Sequence, residues 1–235
     1  MPRILPERWQ IAATALLDAC LPPSCLLCGA DSQCALCAAC AADLPLLAPG
    51  CPQCAEPTTH GERCGRCLTH PPHFDATIAA FRYAFPVDRL MHAFKYAGEL
   101  ALAGWFSRKL VEHIEDRAFH TILPMPLHPH RLQERGFNQA AELARHIGKS
   151  LKVSVDIAAC HRRRPTTSQA DLPFNKRSAN VRGAFECSAD LGGLDILLID
   201  DVMTTGATLD ECARTLKLHG AKSVTVAVVA RALRD

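Results

Sequence analysis

Residues 196–209 read Ile196-Leu197-Leu198-Ile199-Asp200-Asp201-Val202-Met203-Thr204-Thr205-Gly206-Ala207-Thr208-Leu209, and their order decides the fold. Four consecutive aliphatics without a polar partner predict a strand buried on both faces, the habit of a parallel sheet. Two carboxylates follow at the strand's C-terminal end, where open α/β sheets place their ligands. Past the threonines, Leu209, Cys212, Ala213 and Leu216 recur at helical spacing. The hydroxyl-rich turn therefore stands at a helix N-terminus, where unpaired backbone N–H groups and the helix dipole favour a phosphate. Gly206 lets the backbone approach the anion with no Cβ in the way. A simple helix cap needs one polar side chain, and here two acids and three threonines surround the glycine.

An acid pair followed by a phosphate cradle suits a sugar phosphate, because carboxylates accept hydrogen bonds from vicinal hydroxyls. The arrangement resembles the phosphoribosyl pyrophosphate (PRPP) motif of type I phosphoribosyltransferases. The resemblance implies that Asp200 and Asp201 hold the ribose hydroxyls and that Thr204, Thr205, Gly206, Ala207 and Thr208 hold the 5′-phosphate.

The chain has 235 residues, more than one average domain and fewer than two large ones. With 49% hydrophobic and 21% charged residues, a normal buried core is available. A net charge of +2 confines any nucleic-acid surface to a local patch. Residues 7–20 read as an amphipathic helix stopped by Pro22-Pro23, because Glu7, Arg8 and Asp18 bracket an apolar run too short to span a membrane. A cytoplasmic location is the expectation. In a reducing compartment the thirteen cysteines are not expected to pair as disulfides, which leaves metal as the alternative.

The cysteines concentrate in one segment as Cys25-x2-Cys28, Cys37-x2-Cys40, Cys51-x2-Cys54 and Cys64-x2-Cys67. Each short pair can put two thiolates on one ion, and two pairs close a tetrahedral four-thiolate site. Eight residues separate the first two pairs and nine the last two, which predicts two tandem zinc ribbons with one structural Zn2+ each. Cys34 can replace Cys40 as a ligand, and crossed pairing of Cys25/Cys28 with Cys51/Cys54 is also open. Sequential pairing closes the shorter loops at lower entropic cost. The expected organisation is an N-terminal helix over 1–22, a double ribbon over 23–70 and an α/β domain over 71–235.

A second signature lies between these segments. A strand is predicted from Thr77 to Phe85, then a helical stripe of Leu90, Met91 and Phe94 leading to Lys95-Tyr96, and a helix over about 100–115. Thr121-Ile122-Leu123 begins a further strand, followed by a proline-stiffened turn that carries Arg131 and Arg135. Asn138 is a good N-cap for a helix running to about Lys149. Two arginines after one strand and two aspartates after another predict convergence on one crevice. Further strands are expected near 155, 197 and 226, giving an α/β core. Residues 161–186 lack apolar periodicity and carry Arg162, Arg163, Arg164, Lys176, Arg177 and Arg182, a local positive charge that reads as a loop. Such a loop is able to close over a substrate or to track single-stranded DNA.

The run Pro126-Leu-x3-Arg131-x3-Arg135-Gly-Phe-Asn-Gln139 is similar to that of the ComF/GntX family of competence-associated proteins. So are Lys95-Tyr96 and Arg164-x-Thr166-x2-Gln169-x7-Arg177-x2-Asn180-x4-Phe185. The resemblance covers the chain from Cys25 to about Arg231. It implies zinc ribbons preceding a type I phosphoribosyltransferase-like α/β core with a mostly parallel sheet, and PRPP bound with Mg2+. Asp200 and Asp201 would fix the ribose, while Arg131, Arg135 and Lys176 or Arg177 would stabilise departing pyrophosphate. The family's role in taking up DNA implies single-stranded DNA and other DNA-uptake proteins as partners. It also keeps open a non-catalytic protein that uses the fold only to bind phosphate ligands.

Overall fold

Strand β5 (Asp195–Met203) is central, and Ile196, Leu197, Leu198 and Ile199 are all completely buried in the computed structural model. The structure describes residues 24–114, 117–163 and 181–233. The chain divides into two compact units, one ending at Leu44 and the other beginning at Pro45.

The first unit carries α1 (Ala38–Ala42), with Cys37 as its N-cap. Cys25 and Cys28 lie in a tight turn in which Gly29 N donates to Cys25 O at 2.9 Å. The second unit opens with the same plan. Ala55 N donates to Cys51 O at 2.8 Å, and Cys64 is the N-cap of α2 (Gly65–Thr69). The repeat extends to the flanks, since Cys25 N donates to Ala30 O and Cys51 N to Glu56 O, each at 2.8 Å. Each module is thus a turn holding one cysteine pair and a helix start holding the other.

In the second unit the elements continue as β1 (Ala76–Arg82), α3 (Val87–His92), a π-helical turn (Ala93–Ala97) and α4 (Ala101–Val111). They are followed by β2 (Thr121–Pro124), α5 (Pro129–Arg135), α6 (Gln139–Leu151) and β3 (Cys160–Arg162). Then come β4 (Phe185–Cys187), β5, α7 (Ala207–Leu218) and β6 (Ser223–Arg231). The main sheet has the order β1-β6-β5-β2, and all its pairings are parallel. Alternation along β5 sends Ile196 and Leu198 into a core with Leu209, Cys212, Ala213 and Leu216 of α7, as their helical spacing predicts. Cys51, Cys54, Cys67 and Phe74 belong to that same core, so the second cysteine module shares its packing with the sheet. Helices α4 and α6 pack on each other and on the sheet, where Phe81 stacks on Trp105 with centroids 5.9 Å apart.

Two expectations are revised. The strand near 155 is a single parallel bridge between Ile122 and Val155, because the Asp156 carboxylate accepts from Ala158 N and Ala159 N and turns the chain. Arg131 and Arg135 lie in helix α5 rather than a turn. His128 caps that helix, Pro129 occupies its first turn and Gly136 ends it at φ 78°. The basic segment begins and ends in the antiparallel hairpin β3–β4. Cys160 and Cys187 face each other there, and Cys160 Sγ lies 4.0 Å from Cys212 Sγ. Lys176, Arg177 and the N-terminal 7–20 segment lie outside the described residues.

Candidate active site and zinc clusters

Adjacent parallel strands end at the same edge, and here β2 and β5 are neighbours. The segment after β2, tied in by Met125 N donating to Ile199 O at 2.7 Å, therefore faces the segment after β5. Together they form a crevice of about 530 Å³ lined by Lys95, Arg131, Arg135, Arg162, Asp200 and Asp201, with Thr204, Gly206, Ala207 and Thr208 at its floor. The convergence expected of the arginines and aspartates is present.

The two carboxylates differ. Asp201 Oδ2 lies 3.0 Å from Lys95 Nζ. Asp200 is half-buried and its Oδ1 accepts from Asp201 N at 2.8 Å. Burial, and then the neighbouring Asp201 charge, push Asp200 up to about 7. Burial lowers Lys95, but the carboxylates of Asp201 and Asp200 outweigh it and raise the ammonium above its usual range. Lys95 is delivered by the π-helical turn, which ends at Gly98 with φ 71°. Such turns interrupt regular helix where a side chain must be re-aimed.

Opposite, the Arg135 guanidinium lies 5.2 Å from the Tyr96 ring centroid and donates to Gln139 Oε1 at 3.2 Å. Its Nε is buried with no protein acceptor. Arg131 Nη1 donates to Glu134 at 3.1 Å. Asn138 accepts from Ala140 N and Ala141 N, as an N-cap should, and its amide donates to Met125 O at 3.1 Å. That bond fixes the start of α6 against the proline-rich turn. Arg162, read in sequence as part of a loop, enters the crevice from β3. It sits 5.7 Å from the Phe185 ring, and burial pushes it below the usual arginine range.

Helix α7 starts directly after Gly206, whose φ is 79°. Conformation calls for glycine there, and a Cβ would meet Met203 Cε at 2.6 Å, so that flexible side chain would have to move. Thr205 turns its hydroxyl onto Ala207 N at 3.2 Å, while Thr204 and Thr208 line the crevice. Sequence reasoning did not single out Arg162 as a crevice residue and gave Lys95 little weight. Asp201 and Lys95 meet across more than a hundred residues, and no local pattern marks such a pair.

The cysteine clusters are sequential. Within Cys25, Cys28, Cys37 and Cys40, and within Cys51, Cys54, Cys64 and Cys67, the sulfurs all lie within 4.8 Å of one another. Cys34 is exposed and outside both sets. Sulfur separations of 3.8 Å (Cys28–Cys37) and 3.6 Å (Cys54–Cys64) fit a tetrahedron whose Zn–S length of about 2.3 Å gives edges of about 3.8 Å. Burial raises Cys51, but backbone N–H groups of Cys64, Cys54 and Gln53 outweigh it and bring the thiol down to about 7. Cys25 is brought to about 6 in the same way. A thiolate is the form that binds metal.

Residues 132–235 match the phosphoribosyl transferase domain family, and residues 16–68 match the double zinc ribbon domain family. DNA utilization protein YhgH of Shigella flexneri is 34% identical over 191 residues, covering 78% of this chain and 84% of that protein. Its counterpart in Salmonella typhi is 32% identical over 224 residues, covering 91% and 99%. Competence protein F of Haemophilus influenzae is 28% identical over 195 residues, covering 78% and 85%.

Sheet, crevice and clusters define a phosphoribosyltransferase-type α/β protein with a double zinc ribbon. The chain belongs to the ComF family. Among the described residues no helix is long and apolar enough to cross a membrane.

Proposed function

We propose that the crevice binds PRPP and that the protein transfers its phosphoribosyl group to a nucleophile in the service of DNA utilization. The observation that carries this reading is the placement of Asp200, Asp201 and the start of α7 directly across from Arg131, Arg135 and Arg162. Asp201 and Asp200 accept the ribose hydroxyls, and the α7 start receives the 5′-phosphate. The arginines meet the charge that grows on pyrophosphate as its bond to the anomeric carbon breaks and the nucleophile's bond forms. Mg2+ bound with the pyrophosphate would supply further charge neutralisation. Lys176 and Arg177, assigned to pyrophosphate from sequence, remain part of the proposal. So do a cytoplasmic setting and one structural Zn2+ per cysteine cluster.

Calorimetric titration with PRPP and Mg2+ tests the site. Asp201→Asn should weaken binding by about 1 to 3 kcal/mol, the usual scale for losing a charged hydrogen-bond acceptor. Unchanged affinity would place the site elsewhere. Pyrophosphate release measured across nucleobases and single-stranded DNA then separates transfer from binding alone.

A second reading follows from the names of the relatives, which refer to DNA utilization and competence. Single-stranded DNA would run along the basic segment that leaves the hairpin, starting from exposed Arg163, which pairs with Glu186 at 3.1 Å. Arg163→Ala should then flatten the dependence of DNA affinity on salt by about one unit. An unaltered slope removes Arg163 from the DNA path.

A further inference from the structure

Arg231, the last residue of β6, is 1% exposed, and neither the crevice nor the cysteine clusters include it. A buried guanidinium is retained only where its donors are met. Here they reach in two directions. Toward the second cysteine cluster, Nε donates to Cys54 O at 3.0 Å and Nη2 to Glu56 Oε2 at 2.8 Å. Toward the crevice loop, Nη1 donates to Met203 O at 3.2 Å and to Thr204 O, with Ala232 O also accepting from it.

The peptide bond is planar and trans, so its C=O and N–H point in opposite directions. With the carbonyls of Met203 and Thr204 drawn onto the guanidinium, the N–H groups of Thr204 and Thr205 are aimed away from it. Successive N–H groups fixed on one side of a turn make an anion-binding concavity. A second contact braces the same loop: His73 N and Nδ1 both reach Asp210 Oδ1, at 2.6 and 2.9 Å, in the first turn of α7. The Phe74 ring lies 3.8 Å from where a Gly206 Cβ would stand.

We infer that Arg231 is a positioning residue for the phosphate loop, and that with Glu56 it makes the second zinc ribbon a brace for that loop. The ligand concerned is the phosphate monoester end of a pentose phosphate. The inference rests on the PRPP reading of the crevice.

The test uses the full zinc-loaded chain and two probes, ribose 5-phosphate for the loop and inorganic pyrophosphate for the arginine side. Arg231→Lys keeps the charge but not the fork that spans both carbonyls and Glu56. It should weaken ribose 5-phosphate by about tenfold or more, the scale of a charged hydrogen bond. Glu56→Gln, which keeps an oxygen acceptor for Arg231 at a partly exposed position, should weaken the same ligand by less. Pyrophosphate affinity and zinc content should stay as in the wild type for both variants. A general loss of folding lowers both ligands together, and that result would overturn the positioning role, as would unchanged ribose 5-phosphate binding in Arg231→Lys. If Arg231→Lys does not fold, Glu56→Gln decides by the same two-ligand comparison. A wild-type chain that binds neither probe refutes the crevice reading itself, and with it this inference.

Discussion

Replacing Asp200 by Asn separates the charge of this carboxyl from its shape. In the folded protein, burial and the adjacent Asp201 charge lift Asp200 from its ordinary 3.8 to about 7. The unfolded chain has neither influence. Between these two values the folded state holds the proton more tightly than the unfolded one, so stability falls as pH rises from about 4 through 7 and the penalty is complete above 7. At about 1.36 kcal/mol for each tenfold change in proton affinity, the full penalty is about 4 kcal/mol. Asparagine keeps the Oδ1 acceptor for Asp201 N, now 2.8 Å away, and removes the charge. Asp200→Asn should therefore stabilise the protein by about 4 kcal/mol at pH 8.5, shrinking to about 2 kcal/mol at pH 5.5. Urea unfolding in zinc-containing buffer, followed by the fluorescence of Trp105 stacked on Phe81, reads the difference. A stability gain equal at the two pH values, or no gain, would refute the burial of a strained carboxylate. The same variant should lose PRPP affinity, which would show a destabilising charge kept for its ligand.

Other perturbations have equally defined outcomes. Metal analysis of the purified chain should find two zinc ions, and Cys51→Ser should lose one. Because Cys51 lies in one core with Met203 and Leu209, that variant should also lower the melting temperature of the α/β unit. Gly206→Ala should cost about 1 to 2 kcal/mol of stability, measured by urea midpoint, because φ 79° is unfavourable for any residue with a Cβ. It should weaken ribose 5-phosphate further through the displaced Met203 side chain, and full retention of binding would contradict a tight phosphate loop.

The parts legible in sequence are those whose physics is local. The aliphatic run at 196–199 and the Val-rich alternation at 223–230 read as strands, and the recurrence of apolar residues after Gly206 reads as the helix that follows. The four short cysteine pairs are plain in the sequence, but crossed pairing and Cys34 stay open there until the sulfurs are seen to cluster sequentially. The 153–156 segment looks like a strand by composition, yet the Asp156 side chain competes for the backbone and leaves one bridge. Helix α5 was written in His128, Pro129 and Gly136, but with only seven residues it has no apolar stripe to reveal it. Lys95 with Asp201, Arg162 with the crevice and Arg231 with Cys54 are long-range pairs. Lys95-Tyr96 and the arginines at 162–164 stand out in the sequence, but nothing there names their partners, and only the fold brings them together.

The charges around the crevice explain why two adjacent carboxylates are not redundant. Asp201 has an ammonium 3.0 Å away and so carries its charge at little electrostatic disadvantage. Asp200 has no such ion pair among the described residues and is half-buried at the crevice wall. On the proposed reading Asp201, paired with Lys95, accepts a ribose hydroxyl. Burial and the Asp201 charge raise Asp200 to about 7. On the proposed reading the four cations of the crevice meet the ligand's phosphates, and the two carboxylates, which repel a polyanion, meet its ribose hydroxyls.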